Sequence, residues 1–274
     1  MQVSVGLSVM FNAFTFWPAF NSRGKISKSL ITIPSIALGF GLIAAFFSFL
    51  HIGEPLSIIK STSIELSHLR LEILLMVAYL GMLGIFLVFT ISTKSTWKRI
   101  QKILLDLSSI SGLALIFAMS GLYMQESYPI WNNILTPLSF YGTTLLFGST
   151  FLLLLISKTG SLSSQCALAG ISAIMVLCIL ILLPLIINNL DNQLLDGQES
   201  LSTTFQDFLW IFYGRIFLLL LTLGTLFRSL YVIRSAMTKC SILLWPLSIA
   251  MIAAFVAELG GRILFFAMGN VASG

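Results

Sequence analysis

The sequence predicts an all-α, polytopic membrane protein: a bundle of eight transmembrane helices in one membrane domain spanning residues 1–274. Three observations carry this. Hydrophobic residues make up 57% of the chain and charged residues only 9%, against about 25% charged in a soluble domain. The mean hydropathy is +1.00. The apolar residues fall into eight runs of about the 20 residues that a helix needs to cross roughly 30 Å of hydrocarbon. These runs are too long and continuous for barrel strands, and only helices or closed barrels satisfy their backbone in lipid.

The runs lie at approximately 1–20, 30–50, 71–92, 103–122, 136–157, 166–188, 209–228 and 243–266. The first is apolar from Met1, with no basic region before it. It therefore reads as a retained helix rather than a cleaved signal peptide. No polar stretch is long enough to hold a separate catalytic domain.

Orientation follows from the loops, because Lys and Arg concentrate on the cytoplasmic side. Arg23, Lys25, Lys28, Lys94, Lys98, Arg99, Lys102, Lys158, Arg228, Arg234 and Lys239 fall in alternate loops on one side. The opposite side holds Lys60 and Arg70. This bias predicts that both termini lie outside, in the periplasm, and that the protein resides in the bacterial inner membrane. The outer segments are longer and carry Glu54, Glu65, Glu126, Asp191, Asp196, Glu199 and Asp207. A partner is expected to dock there. The net charge of +5 is thus a matter of topology, not of nucleic-acid binding.

Metal chemistry has little to draw on. The protein has two histidines, His51 and His68, and three cysteines, Cys166, Cys178 and Cys240, none in a CxxC spacing. That set leaves no zinc site of the usual kind, and no haem or metal is expected in this protein.

Ionisable groups inside the runs are the candidates for function. Each costs about 2.5–3.5 kcal/mol to insert, so Arg215, Glu258 and Arg262 left unpaired would cost on the order of 8–10 kcal/mol. Glu258 and Arg262 stand four apart on the last helix and so share a face. They are expected to form a structural intramembrane pair. Arg215 lies about 9 Å into its helix at ~1.5 Å per residue. His51 caps the outer end of the second run in the turn sequence HIGEP, and Glu72 opens the third. These five groups come from four helices and share one depth near the outer face. The inner half has only Asp106 at its edge, and no file of polar residues is expected to cross it.

A cluster at that depth suits a membrane-soluble substrate that exchanges protons, such as a quinol. Histidine titrates near neutrality, and a carboxylate at the membrane edge can be tuned upward by partial burial. His51 and Glu72 are the expected catalytic pair, accepting protons as the quinol loses electrons. Arg215 is the third quinol-binding candidate, set to stabilise developing negative charge. With no redox centre visible in this sequence, the electrons must leave to a partner on the outer face.

Four segments, in order along the sequence, resemble one family. HIGEP at His51–Pro55 resembles its H-L-G-x-P. LEI at Leu71–Ile73 resembles its N-E-I, which supplies Glu72. PIWNNILTPLSF at Pro129–Phe140 resembles P-x-W-x-x-x-x-T-P-x-x-F. AELGGRILFFAMG at Ala257–Gly269 resembles A-G-E-L-x-G-R-x-x-F-Y. GRIFLL at Gly214–Leu219 is a weaker fifth match. The family is the membrane anchor subunit of dimethyl sulfoxide reductase, the DmsC type, within the NrfD and polysulfide-reductase anchor group. Ser57 and Leu71 depart from its pattern, standing where the family often has a basic residue and Asn. The resemblance implies an eight-helix anchor with both termini outside, which oxidises menaquinol without haem. It implies partners too: an iron–sulfur electron-transfer subunit carrying four clusters and a catalytic subunit carrying molybdopterin. It implies quinol-site roles for His51 and Glu72.

Two other readings remain at this level. A secondary transporter would also keep intramembrane Arg and Glu, although its site would lie near the midplane and its sequence would often show repeats. Neighbouring genes for an iron–sulfur protein and a molybdopterin enzyme discriminate in favour of the anchor. A purely structural anchor would tolerate loss of both His51 and Glu72.

Overall fold

A computed structural model describes residues 1–15, 26–52, 64–92, 98–124, 131–158, 160–194, 206, 208–235 and 240–272 of the protein. Among these, every regular element is a helix: α1 Gln2–Thr15, α2 Ile26–Ile52, α3 Ile64–Ser92, α4 Lys98–Gly121, α5 Leu135–Ile156, α6 Leu162–Leu194, α7 Leu209–Arg234 and α8 Cys240–Ala272. Seven of them, α2 to α8, are long and apolar enough to cross a membrane. The first expected span is described only as α1, about 21 Å at ~1.5 Å per residue, and its expected residues 16–20 lie outside the described part.

Several helices outrun the apolar runs that announced them. α3 begins at Ile64 rather than near 71, and α6 continues to Leu194 rather than ending near 188. Hydropathy marks where lipid can surround a helix; the backbone hydrogen bonds continue past that level into the flanking segments. Pro34, Pro184 and Pro246 sit inside α2, α6 and α8, as membrane helices tolerate.

Consecutive helices pack side by side and fall into two rings. In the first, α1, α2, α3 and α4 follow in order and α4 closes back on α1. In the second, α5, α6, α7 and α8 follow in the same order and α8 closes back on α5. The rings meet where α5 lies against α1 and α4. The protein thus repeats one packing scheme twice, with no matching repeat in its sequence. Helix ends alternate, so the start of α1 and the finish of α8 share one end of the bundle, the terminal end.

Exposed aromatic residues mark the membrane boundaries. Trp210 and Tyr213 point outward near the start of α7, and Tyr231 and Trp245 do so at the opposite end of the second ring. Trp and Tyr gather at membrane interfaces because one part is apolar and another polar. From Tyr213 or Trp210 to Tyr231 is about 27–32 Å along α7, the thickness of the hydrocarbon layer. Between these belts the outward face is apolar, with Phe217, Leu220 and Phe227 on α7 and Ile252, Phe255 and Leu259 on α8.

Small and hydroxylated residues hold the interior together, as they do where helices cannot rely on hydrophobic exclusion in lipid. Gly6 and Gly148 meet at the α1–α5 seam. Ser4, Ser8 and Asn12 line one face of α1. The Ser4 hydroxyl donates to the Ala37 carbonyl at 2.6 Å and lies 2.8 Å from the Tyr79 hydroxyl. Tyr79 donates to Ser8 at 3.2 Å. The Asn12 amide donates to Asp106 and to Ser109, each at 3.0 Å. A polar file therefore does run the length of α1 to Asp106, where none was expected. It was hidden because its members come from α1, α3 and α4.

Candidate functional site

The second ring encloses a cavity at the terminal end, about 70 Å³ in volume and walled by residues of α5, α6, α7 and α8 together with Trp131. Each polar wall residue is placed by an identifiable local feature. Arg215, one and a half turns into α7, reaches across to α8 and donates from Nη2 to Glu258 Oε1 at 3.2 Å. The side chains of Arg215 and Glu258 are only 12% and 7% exposed, so this ion pair is shielded from water. The guanidinium packs closely against α8 at Gly261, where a Cβ would lie 2.6 Å from Arg215 Cζ and the arginine tip would have to shift.

Arg262 takes a different partner from the one its spacing promised. The expected direct bond with Glu258, four residues earlier, is made instead by Arg215. Arg262 swings its guanidinium over the Phe140 ring on α5, 3.9 Å from the centroid, with the Phe265 ring at 5.8 Å. Glu258 still contributes a neighbouring charge. The helix spacing puts the two side chains on one face, but Arg215 competes from the adjacent helix, and the ring faces attract the displaced cation.

An aromatic stack roofs the cavity. Trp131 lies parallel to Phe265, centroids 3.9 Å apart and planes 20° apart. Phe265 meets Tyr123 edge-on at 4.9 Å. Trp131 is fixed by its backbone, whose carbonyl accepts the Thr136 hydroxyl at 2.8 Å and the Asn133 amide at 2.8 Å. Its indole Nε1 and the Arg215 Nε are buried without a hydrogen-bond partner among the described residues.

The residues singled out from sequence divide between the rings. Arg215, Glu258 and Arg262 meet in the second. Glu72 is half-buried on α3 in the first, where the amino group of Met1 is its neighbouring charge, and it is not part of the cavity wall. His51 ends α2 at the same end of the bundle, but its side chain lies outside the described residues, as do Gly53 to Pro55 and the side chain of His68. Proximity of His51 to Glu72 is therefore an expectation of the sequence alone. One link joins the two regions: Gln2 of α1 donates to the carbonyl of Phe140 at 3.1 Å, and the ring of Phe140 carries Arg262.

Sequence reasoning missed Trp131, Phe140 and Phe265 as site residues. The signal was present, since all three lie in segments quoted for the family resemblance. Those segments and Arg215 of the fifth converge on one cavity, whereas the His51 and Glu72 segments belong to the first ring. Among the described residues no three of His, Cys, Asp and Glu come together.

A multi-pass helical membrane protein with charged side chains gathered at one end is the class that this architecture defines. Comparison with known proteins narrows it. The family model described as DMSO reductase anchor subunit (DmsC) matches residues 1–268, and the protein belongs to that family. Among curated proteins, it is similar to the C subunit of anaerobic dimethyl sulfoxide reductase from Haemophilus influenzae, 29% identical over 136 residues. That match takes in 47% of the present sequence and 45% of the relative, so it spans less than half the length of the curated relative. No solved structure matches the sequence.

Proposed function

We propose that this protein is the membrane anchor of an anaerobic respiratory molybdoenzyme complex, where it oxidises menaquinol and passes the electrons to an iron–sulfur partner. The observation that carries the reading is membership of the DMSO reductase anchor subunit family over nearly the whole sequence. A half-buried carboxylate, Glu72, a little over two turns from the start of α3 at the terminal end of the first ring, supports it.

Menaquinol enters from the bilayer and places its hydroxyls against His51 and Glu72. Two electrons leave to the iron–sulfur subunit docked on the outer face, which relays them to the molybdopterin subunit. Two protons pass to His51 and Glu72 and then to the periplasm, leaving menaquinone to diffuse away. A carboxylate close to the membrane edge suits the work of a base, because it can meet a lipid-borne hydroxyl on one side and hand the proton to water on the other. Arg215, grouped with this pair at the outset, has its charge engaged by Glu258 and lines a different space.

The test is quinol-driven against dye-driven turnover in membranes holding the whole complex. His51→Ala and Glu72→Gln are each expected to lower quinol-driven reduction about 100-fold, while reduction by a soluble dye that feeds the partner subunits directly is unchanged. Full quinol-driven turnover in both variants removes the proposal and favours a purely structural anchor.

A further inference from the structure

The cavity of the second ring has no part in the quinol chemistry proposed above, yet it is built like a receptor. It holds two cations and one carboxylate, and that carboxylate is already taken by Arg215. Among the described residues Arg262 meets ring faces and no hydrogen-bond acceptor. Two further N–H donors, Trp131 Nε1 and Arg215 Nε, belong to wall residues and are buried and unpartnered among the described residues. Trp131 is only 7% exposed. Buried donors are nearly always satisfied in native proteins, and these three donor groups belong to residues that line one space. The net charge of +1 on the wall calls for an anion.

Donor chemistry and depth restrict the class. A quinol would present hydroxyl donors to a wall that is itself rich in donors, whereas a tetrahedral oxyanion presents acceptors only. Arg215 lies about 3 Å along the helix from Tyr213, and Arg262 about 26 Å from Trp245. Both sit just inside the aromatic belt, the level at which lipid phosphates begin. Leu183, Ile186 and Ile187 of α6 supply an apolar side to the same space.

We propose that this cavity binds one phosphate-type oxyanion, with Arg262 as its counter-charge and the Trp131 and Arg215 N–H groups as its donors. The anion comes from the headgroup of an acidic membrane lipid or from free inorganic phosphate. Glu258 holds Arg215 in place and keeps the site from attracting a second anion.

Thermal unfolding of the full-length protein, purified in a non-ionic detergent, tests this with three probes: phosphatidylglycerol, diacylglycerol as the uncharged counterpart, and inorganic phosphate at matched ionic strength. A saturating ligand is expected to raise Tm by roughly 3–8 °C. Stabilisation by phosphatidylglycerol but not by phosphate or diacylglycerol assigns the lipid headgroup; stabilisation by phosphate assigns the free anion. Arg262→Gln abolishes the shift and Arg262→Lys keeps part of it. Trp131→Phe, which keeps the stack on Phe265 and removes the N–H, weakens binding several-fold and guards against a folding defect in the arginine variant. A wild-type protein that responds to neither anion, or equal responses in wild type, Arg262→Gln and Trp131→Phe, overturns the proposal. So does a shift given only by a soluble menaquinone analogue. None of these outcomes depends on the roles of His51 and Glu72.

Discussion

Gly6 of α1 and Gly148 of α5 touch backbone to backbone where the two rings join. A Cβ built on Gly6 would run into the Thr144 carbonyl oxygen, and one built on Gly148 would run into the Gly6 carbonyl. Backbone on both sides of the contact leaves no flexible side chain to yield.

Gly148→Ala is therefore expected to destabilise the protein by about 1–3 kcal/mol, the usual cost of overpacking, read as a lower Tm in detergent. Gly170→Ala is the matched control, because nothing lies within 4 Å of a Cβ at that helical position. It is expected to be neutral or mildly stabilising, since alanine is the better helix former. Equal effects at both sites would contradict the seam.

Removing the carboxylate of the ion pair leaves two cations on the wall of the cavity with no opposite charge. Glu258→Gln should cost about 3–5 kcal/mol, the penalty of a buried charge left without its partner. Arg215→Gln combined with Glu258→Gln should recover part of that loss, and a double-mutant cycle in thermal or denaturant unfolding measures the coupling. Additive effects would mean that the two side chains do not interact.

Tyr79 is fully buried and shared between Ser4 and Ser8. Tyr79→Phe keeps the ring and removes the hydroxyl, so the expected cost is about 1 kcal/mol. Ser4 retains its bond to the Ala37 carbonyl, which keeps the loss small. A loss of about 3 kcal/mol or more, on the order of a cavity-forming substitution, would show that the hydroxyl does more than tie α1 to α3.

Topology has a direct measurement. With α1 crossing the membrane, eight spans place both termini on one side, and the loop charges put that side in the periplasm. Alkaline phosphatase fused at either end is expected to be active, and green fluorescent protein at either end dark. Reporters that disagree between the two ends would show that α1 does not cross.

The eight described helices were legible because a membrane helix announces itself by a continuous apolar run, as with Leu135–Ile156 of α5, and each expected run overlaps a described helix. Their pairing was not. An apolar stripe says only that lipid or another helix lies beside it, so nothing in the linear pattern marked the ring closure of α4 on α1. Arg215, Glu258 and Arg262 stood out as costly charges, and their common end followed from counting residues. Which of them would bond was settled across the contact between α7 and α8, where Arg215 reaches Glu258, a relation that has meaning only once the two helices are packed. Ser4, Ser8 and Asn12 stood at helical spacing in plain view, but hydroxyls and amides occur widely in membrane helices. Only Tyr79 and Asp106, brought from elsewhere, turned them into a file.

The seam has a consequence for biogenesis. α1 leaves the ribosome well before α5, yet the carbonyl for Gln2 and the glycine that faces Gly6 belong to α5, some 140 residues later. At about 5–20 residues per second of synthesis, α1 waits roughly 7–28 s in the insertion machinery or the lipid with that flank uncovered. An insertase or chaperone that shelters α1 over this interval would govern how much of the protein reaches its final form, and slowing translation between α4 and α5 should lower the yield.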